Sequence, residues 1–272
     1  MKAAAIITLV FTGAVAGCVE PDRDGGSETR PAEAVARTLP WGVSGCAFAI
    51  VAIQVDEAEL AARLPEAFAL RPGGLPRLPA APRASLELDV YACASGVGLN
   101  GTVEPIGYGS AYAAVDVPSA LREDGYGAYF VKWDFLVPDA DRRAVLVAGG
   151  LPARAGAAEV ALPSASGGPI EAELTLDGAW GFGLTGVVGA LEPQGGPLPF
   201  MEYTPLADRG LARWHARLHD AEIGTGTGVV TLTPGSWVAD LAGADTVPAT
   251  FIAGVWNLDQ ADVTFPVAWP AA

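Results

Sequence analysis

The sequence predicts a mostly β (α+β) protein, a single antiparallel β-barrel or sandwich with one or two short helices. Two observations carry that expectation. Segments of alternating apolar and polar residues recur along the chain, and 34 glycines and 22 prolines break them at intervals suited to turns. Convincing helix starts are few, which favours a closed or layered all-β arrangement over an α/β one.

In chain order, residues 43–55 are apolar and β-branched with no internal helix cap, so they read as a buried strand. Asp56 then caps a helix and Glu59, three residues on, closes a capping box. Leu60 and Leu64 form its apolar stripe and Pro65 ends it. Residues 71–82 are a proline-rich connection. From there the period is two. Leu86, Leu88, Val90 and Ala92 share one face of a strand, and Glu87, Asp89, Tyr91 and Cys93 the other. Residues 110–117 alternate more weakly. In residues 129–137, Tyr129, Val131, Trp133, Phe135 and Val137 oppose Phe130, Lys132, Asp134 and Leu136. Further strands are expected over 144–148, 157–162, 170–176, 179–188, 211–222, 228–233 and 249–256. The seven tryptophans, at 41, 133, 180, 214, 237, 256 and 269, are expected mostly in the core.

The N-terminal end reads differently. Lys2 followed by an apolar run over residues 3–16 has the form of a secretory signal, too short to span a bilayer as a helix. Val15-Ala16-Gly17-Cys18 resembles the lipobox of bacterial lipoproteins. That resemblance implies cleavage before Cys18, lipid attachment to it, and residence at the bacterial cell envelope, on the periplasmic side or at the outer membrane. The expected organisation is a signal peptide over 1–17, a lipidated cysteine with a flexible tether over 18–40, and one barrel domain over 41–272. The tether carries charges of both signs, Gly25-Gly26 and no apolar periodicity, so it lacks the surface to fold. The net charge of −15 disfavours nucleic acid and anionic headgroups as partners. The membrane is then met through Cys18 alone. Cys46 and Cys93 remain, read as one disulfide in an oxidising compartment or as two separate buried thiols.

The order of these pieces resembles the acetoacetate decarboxylase-like superfamily. The resemblance rests on the helix ending Leu64-Pro65, on Tyr129-Phe130-Val131-Lys132-Trp133, on Gly149-Gly150-Leu151-Pro152-Ala153-Arg154 and on Gly226-Thr227-Gly228-Val229-Val230-Thr231-Leu232. It implies a barrel in which a lysine, its pKa lowered by a second cation, forms a Schiff base with a keto acid. Here those two lysine positions are Ala153 and Arg154, and arginine is not an amine nucleophile. A serine, Ser110, stands where the family places an acid two residues after a tyrosine. With its nucleophile gone the barrel is expected to bind rather than decarboxylate.

The remaining candidates follow from residue type and spacing. Arg213, His215, Arg217 and His219 share one face of a strand, opposite Trp214, Ala216 and Leu218. Turned into the barrel, that face would form with Arg154 a cationic wall for a small carboxylate-like ligand; turned outward, it is a solvated stripe. A His-x-x-x-His metal site requires a helix there, which the alternation opposes. Lys132 and Asp134, on one side of an apolar strand, offer an alternative catalytic pair, with Lys132 as an amine nucleophile on keto or ester substrates. A third reading is a structural envelope lipoprotein without a pocket. Neither Gly181-Phe182-Gly183 nor Gly224-Thr225-Gly226 opens a helix after a strand, and no nucleophile elbow is present, so no cofactor is expected.

Overall fold

The computed structural model describes residues 37–72, 85–97, 103–206 and 210–267. The expected signal segment, Cys18, the tether up to residue 36, and Trp269 lie outside the described residues.

Thirteen strands and three helices are present among the described residues. Strand β1 (Arg37–Gln54) leads to helix α1 (Glu57–Ala61) and the short β2 (Ala69–Leu70). Next come β3 (Ser85–Val97), β4 (Val103–Asp116), β5 (Tyr129–Leu136), helix α2 (Ala140–Ala148) and β6 (Ala153–Arg154). An extension follows as β7 (Gly156–Ala161), β8 (Gly168–Leu176) and β9 (Gly181–Val188). The chain closes with β10 (Glu192–Pro193), β11 (Leu198–Pro205), β12 (Leu211–Leu232), helix α3 (Trp237–Ala242) and β13 (Thr246–Val267).

The sheet runs β11-β5-β4-β3-β1-β13-β12, and β12 pairs back with β11, which closes a seven-stranded barrel. All pairings in the ring are antiparallel except β5–β11, which is parallel. The far half of β12 leaves the ring to pair with β9, and β9-β8-β7 fold back as a second layer. The alternation in β1 and β3 then acquires two meanings. Cys46, Phe48, Ile50 and Cys93 face the barrel lumen, while Ala49, Val51, Leu86, Leu88 and Val90 pack outward against Ile170, Leu174 and Leu184 of the extension. Both faces are buried, which is why Glu87 and Asp89 are buried although they sit on the polar face of the pattern. Gly109 makes the layering possible at β4. A Cβ there would lie 2.5 Å from a methyl of Leu174 and 2.6 Å from the Asp89 carbonyl.

The capping of α1 is as expected, with Asp56 accepting from the Glu59 amide at 2.9 Å. Four expectations differ. Residues 37–40, expected in the flexible tether, begin strand β1, because their backbone pairs with residues 262–265 of β13. Residues 144–148 belong to helix α2, started by Asp139, whose carboxylate accepts from the Arg142 amide at 2.7 Å; the cap lies upstream of the apolar run and outweighs its β-branched content. Strand β11 has no counterpart among the expected strands, because prolines at 197, 199 and 205 mask its alternation. The segments 211–222 and 228–233 are one long strand that bends at bulges near Arg217 and between His219 and Glu222, where Asp220 takes φ of 49°.

Candidate functional site

The polar groups of the lumen come from four neighbouring strands. Lys132 of β5 reaches across to Glu202 of β11 and forms an ion pair with it, the two side chains being 14% and 7% exposed. The Lys132 ammonium lies 5.0 Å from the centre of the Trp214 ring, a cation–π distance. On the adjacent strands Asp89 of β3 accepts from the Ser110 hydroxyl at 2.8 Å and from the Ser110 amide, and the Tyr91 hydroxyl donates to it at 2.8 Å. Burial, with no full set of charges to replace water, pushes the Asp89 carboxyl up to about 6. Lys132 and the two hydroxyl bonds pull the other way and Glu202 adds to the rise. Burial and the neighbouring carboxylates also push the Tyr91 and Tyr112 phenols well up, so both remain donors over the ordinary pH range.

Two chambers flank this cluster. The smaller, about 90 Å³, is bounded by Asp89, Ser110, Lys132, Glu202 and Trp214 together with the Cys46–Cys93 disulfide. The larger, about 320 Å³, lies among Ile50, Tyr112, Phe130, Ile223 and Ile252. Tyr91, Phe200, Glu202, Leu218 and Trp256 border both. Trp256 is fixed by stacking on Phe48 at 4.0 Å and Tyr91 at 4.9 Å.

The disulfide is formed, Cys46 standing opposite Cys93 in the β1–β3 register. The other sequence-based candidates are dispersed. In β12 it is Ala212, Trp214 and Leu218 that join the lumen core, so the Arg213–His219 face turns outward. Arg213 is ion-paired with Glu123, His215 stands 3.6 Å from the same carboxylate, Arg217 is exposed and His219 meets Asp220 at 2.8 Å. Of the four, His215 alone touches the smaller chamber. Their strand also denies them the helical geometry of a shared metal site, and among the described residues no group of three or more metal-ligating side chains converges. Arg154 points away from the lumen, 3.4 Å from Asp134, while Ala153 is buried. The expected wall of Arg154, Arg213, His215, Arg217 and His219 is therefore not assembled.

The Lys132–Asp134 pair is also not formed. Ser110 opposes Phe135 and Ala111 opposes Trp133, which leaves Asp134 as the extra residue of a bulge. The bulge turns Asp134 to the outer side, where it meets Arg154 and accepts from the Trp237 indole at 3.3 Å. Lys132 keeps the lumen and takes Glu202 instead. Sequence reasoning passes over Glu202 with the strand that carries it. Asp89 is visible in the alternation of β3 but has no partner there. Its partner is Ser110, the serine standing where the resemblance implies an acid, so a carboxylate reaches that place from the next strand.

No protein-family model and no curated protein matches the sequence. Solved structures do share the fold. An acetoacetate decarboxylase superposes with a TM-score of 0.50 at 13% identity, covering 85% of this chain and 91% of that one. The acetoacetate decarboxylase of Legionella pneumophila gives 0.47 at 14% identity, over 91% and 93% of the two chains. The enduracididine biosynthesis enzyme MppR, solved with the condensation product of pyruvate and imidazole 4-carboxaldehyde, gives 0.48 at 16% identity, over 83% and 89%. On the first of these superpositions the chain has the acetoacetate decarboxylase-like fold that its motifs resemble. At these identities the likeness speaks for the fold alone.

Proposed function

We propose that this protein is a small-molecule binding barrel, not a decarboxylase, holding a neutral carbonyl-bearing organic molecule in its lumen, and that Cys18 tethers it to the bacterial envelope. The observation that carries the reading is the ion-paired Lys132 at the junction of two chambers. An ammonium has three donors and no acceptor, so Lys132 retains N–H groups for a ligand oxygen while Glu202 and the Trp214 ring hold it in place. The case for a carboxylate ligand rests on the basic stripe, which lies outside the lumen. Inside, the one ammonium already faces Glu202 and Asp89, with Glu87 on the same face of β3. A second carboxylate would be repelled there, and a neutral carbonyl would not.

The test is titration of the protein with 2-hexanone, followed by tryptophan fluorescence and calorimetry, in wild type and Lys132→Met. Saturable binding that the substitution abolishes, in a variant shown folded by near-ultraviolet circular dichroism, supports the reading, and binding that survives it sinks it.

One observation favours a second reading. Lys132 is an amine beside a carboxyl, Asp89, that can carry a proton near pH 6. Freed of its proton, the amine could add to the ketone, and loss of water would leave an imine. Borohydride would reduce that imine to a stable secondary amine on Lys132. A mass increment confined to Lys132 favours the enzyme, and an unmodified Lys132 across several ketones and keto acids leaves the binding barrel.

A further inference from the structure

Resting on the lumen as the ligand site, we infer that its ligand is elongated, with a carbonyl head at Lys132 in the smaller chamber and an apolar tail in the larger one. The two chambers differ in chemistry as well as in size. The smaller, about 90 Å³, holds Lys132, Asp89 and Ser110, and at less than a third of the larger chamber's volume it suits the head rather than the tail. The larger, about 320 Å³, is walled by the side chains of Ile50, Phe130, Ile223 and Ile252, with Tyr112 and the shared Tyr91 and Glu202 contributing polar groups.

The larger chamber is partly open to solvent, and its apolar wall atoms lack the dispersion partners that a bound apolar group would supply. Here the walls are held by the barrel itself. Ile50 and Ile252 are register partners across β1 and β13, and Trp256 is held by ring contacts with Phe48 and Tyr91. Glu202 and Tyr91 border both chambers, so a ligand whose head accepts from Lys132 places its next atoms toward the isoleucines. The tail class that this wall selects is a chain of several carbons or one aromatic ring, without charge.

The experiment is calorimetric titration of the full chain with 2-butanone, 2-hexanone, 2-octanone and 4-phenyl-2-butanone. Each methylene buried in the larger chamber should tighten binding about fourfold until the chamber is filled. Ile252→Trp fills that chamber from β13 and Ile223→Trp from β12, and either should flatten the dependence on chain length. Two variants on different strands guard against one that does not fold, with near-ultraviolet circular dichroism as the check on each. An affinity that ignores chain length in wild type, with the short ketone still lost in Lys132→Met, overturns the elongated ligand and leaves the lumen reading standing. No binding by any member of the series overturns both. A steep dependence on chain length that persists in both tryptophan variants places the tail elsewhere and overturns the inference.

Discussion

Replacing Asp89 with asparagine should make the protein more stable at neutral pH than at acid pH, relative to wild type. Asp89 is 2% exposed, and its carboxyl is raised from 3.8 to about 6. Between those values the folded protein binds more protons than the unfolded chain, so this group's contribution falls as pH rises. It is fully present below the unfolded value and lost once the pH passes about 6. The interval corresponds to about 3 kcal/mol. The carboxamide introduced by Asp89→Asn would keep an acceptor for the Ser110 amide and hydroxyl while removing the buried charge. The difference in unfolding free energy between Asp89→Asn and wild type should therefore grow by about 2 kcal/mol from pH 4 to pH 7, part of the interval being already passed at pH 4. Urea denaturation followed by tryptophan fluorescence, at half-unit pH steps, measures it. A difference that stays constant across that range, or grows toward acid pH, refutes the argument that burial governs this carboxyl.

Lys132→Met should destabilise by about 3–5 kcal/mol, because it leaves Glu202 buried without its cation. The Lys132→Met, Glu202→Gln double variant should recover most of that loss, and a denaturation cycle over the four proteins reads the coupling. The Cys46–Cys93 bridge closes a separation of 47 residues, so replacing both cysteines with alanine should cost about 4 kcal/mol by loop entropy, seen as a lower denaturation midpoint. Arg213→Ala with Arg217→Ala should leave ketone affinity as in wild type, since neither side chain borders a chamber. On the proposed tethering through Cys18, labelled palmitate should enter the wild-type protein in a bacterial host and not Cys18→Ala.

Much of the barrel is legible in the sequence, for a physical reason. A closed sheet keeps two-residue alternation along every strand, and residues 85–93 and 129–133 show it openly. Asp56 and Glu59 announce α1 by chemistry that needs no tertiary contact. What alternation leaves undecided is which face turns inward. In β12 it separates the two faces, and the tryptophan face rather than the basic one takes the lumen. A bulge is equally silent. One extra residue at Asp134 moves it away from Lys132 and leaves the lysine to Glu202, a partner 70 positions away on a strand masked by prolines. The site is assembled by closure of the ring, through β3–β4, β4–β5 and β5–β11 pairing, and long-range pairing of that kind leaves little trace in local pattern.

The most direct test of the lumen reading uses the rarity of lysine in this chain, which has only Lys2 and Lys132. The proposed cleavage before Cys18 removes Lys2, so the mature protein labelled with carbon-13 at its lysine side chain gives one ε-methylene signal, that of Lys132. Titration with 2-hexanone should shift that signal and saturate with the calorimetric affinity. Saturable ketone binding with the Lys132 signal unchanged would contradict the account, because the ligand would then lie away from the Lys132–Glu202 pair.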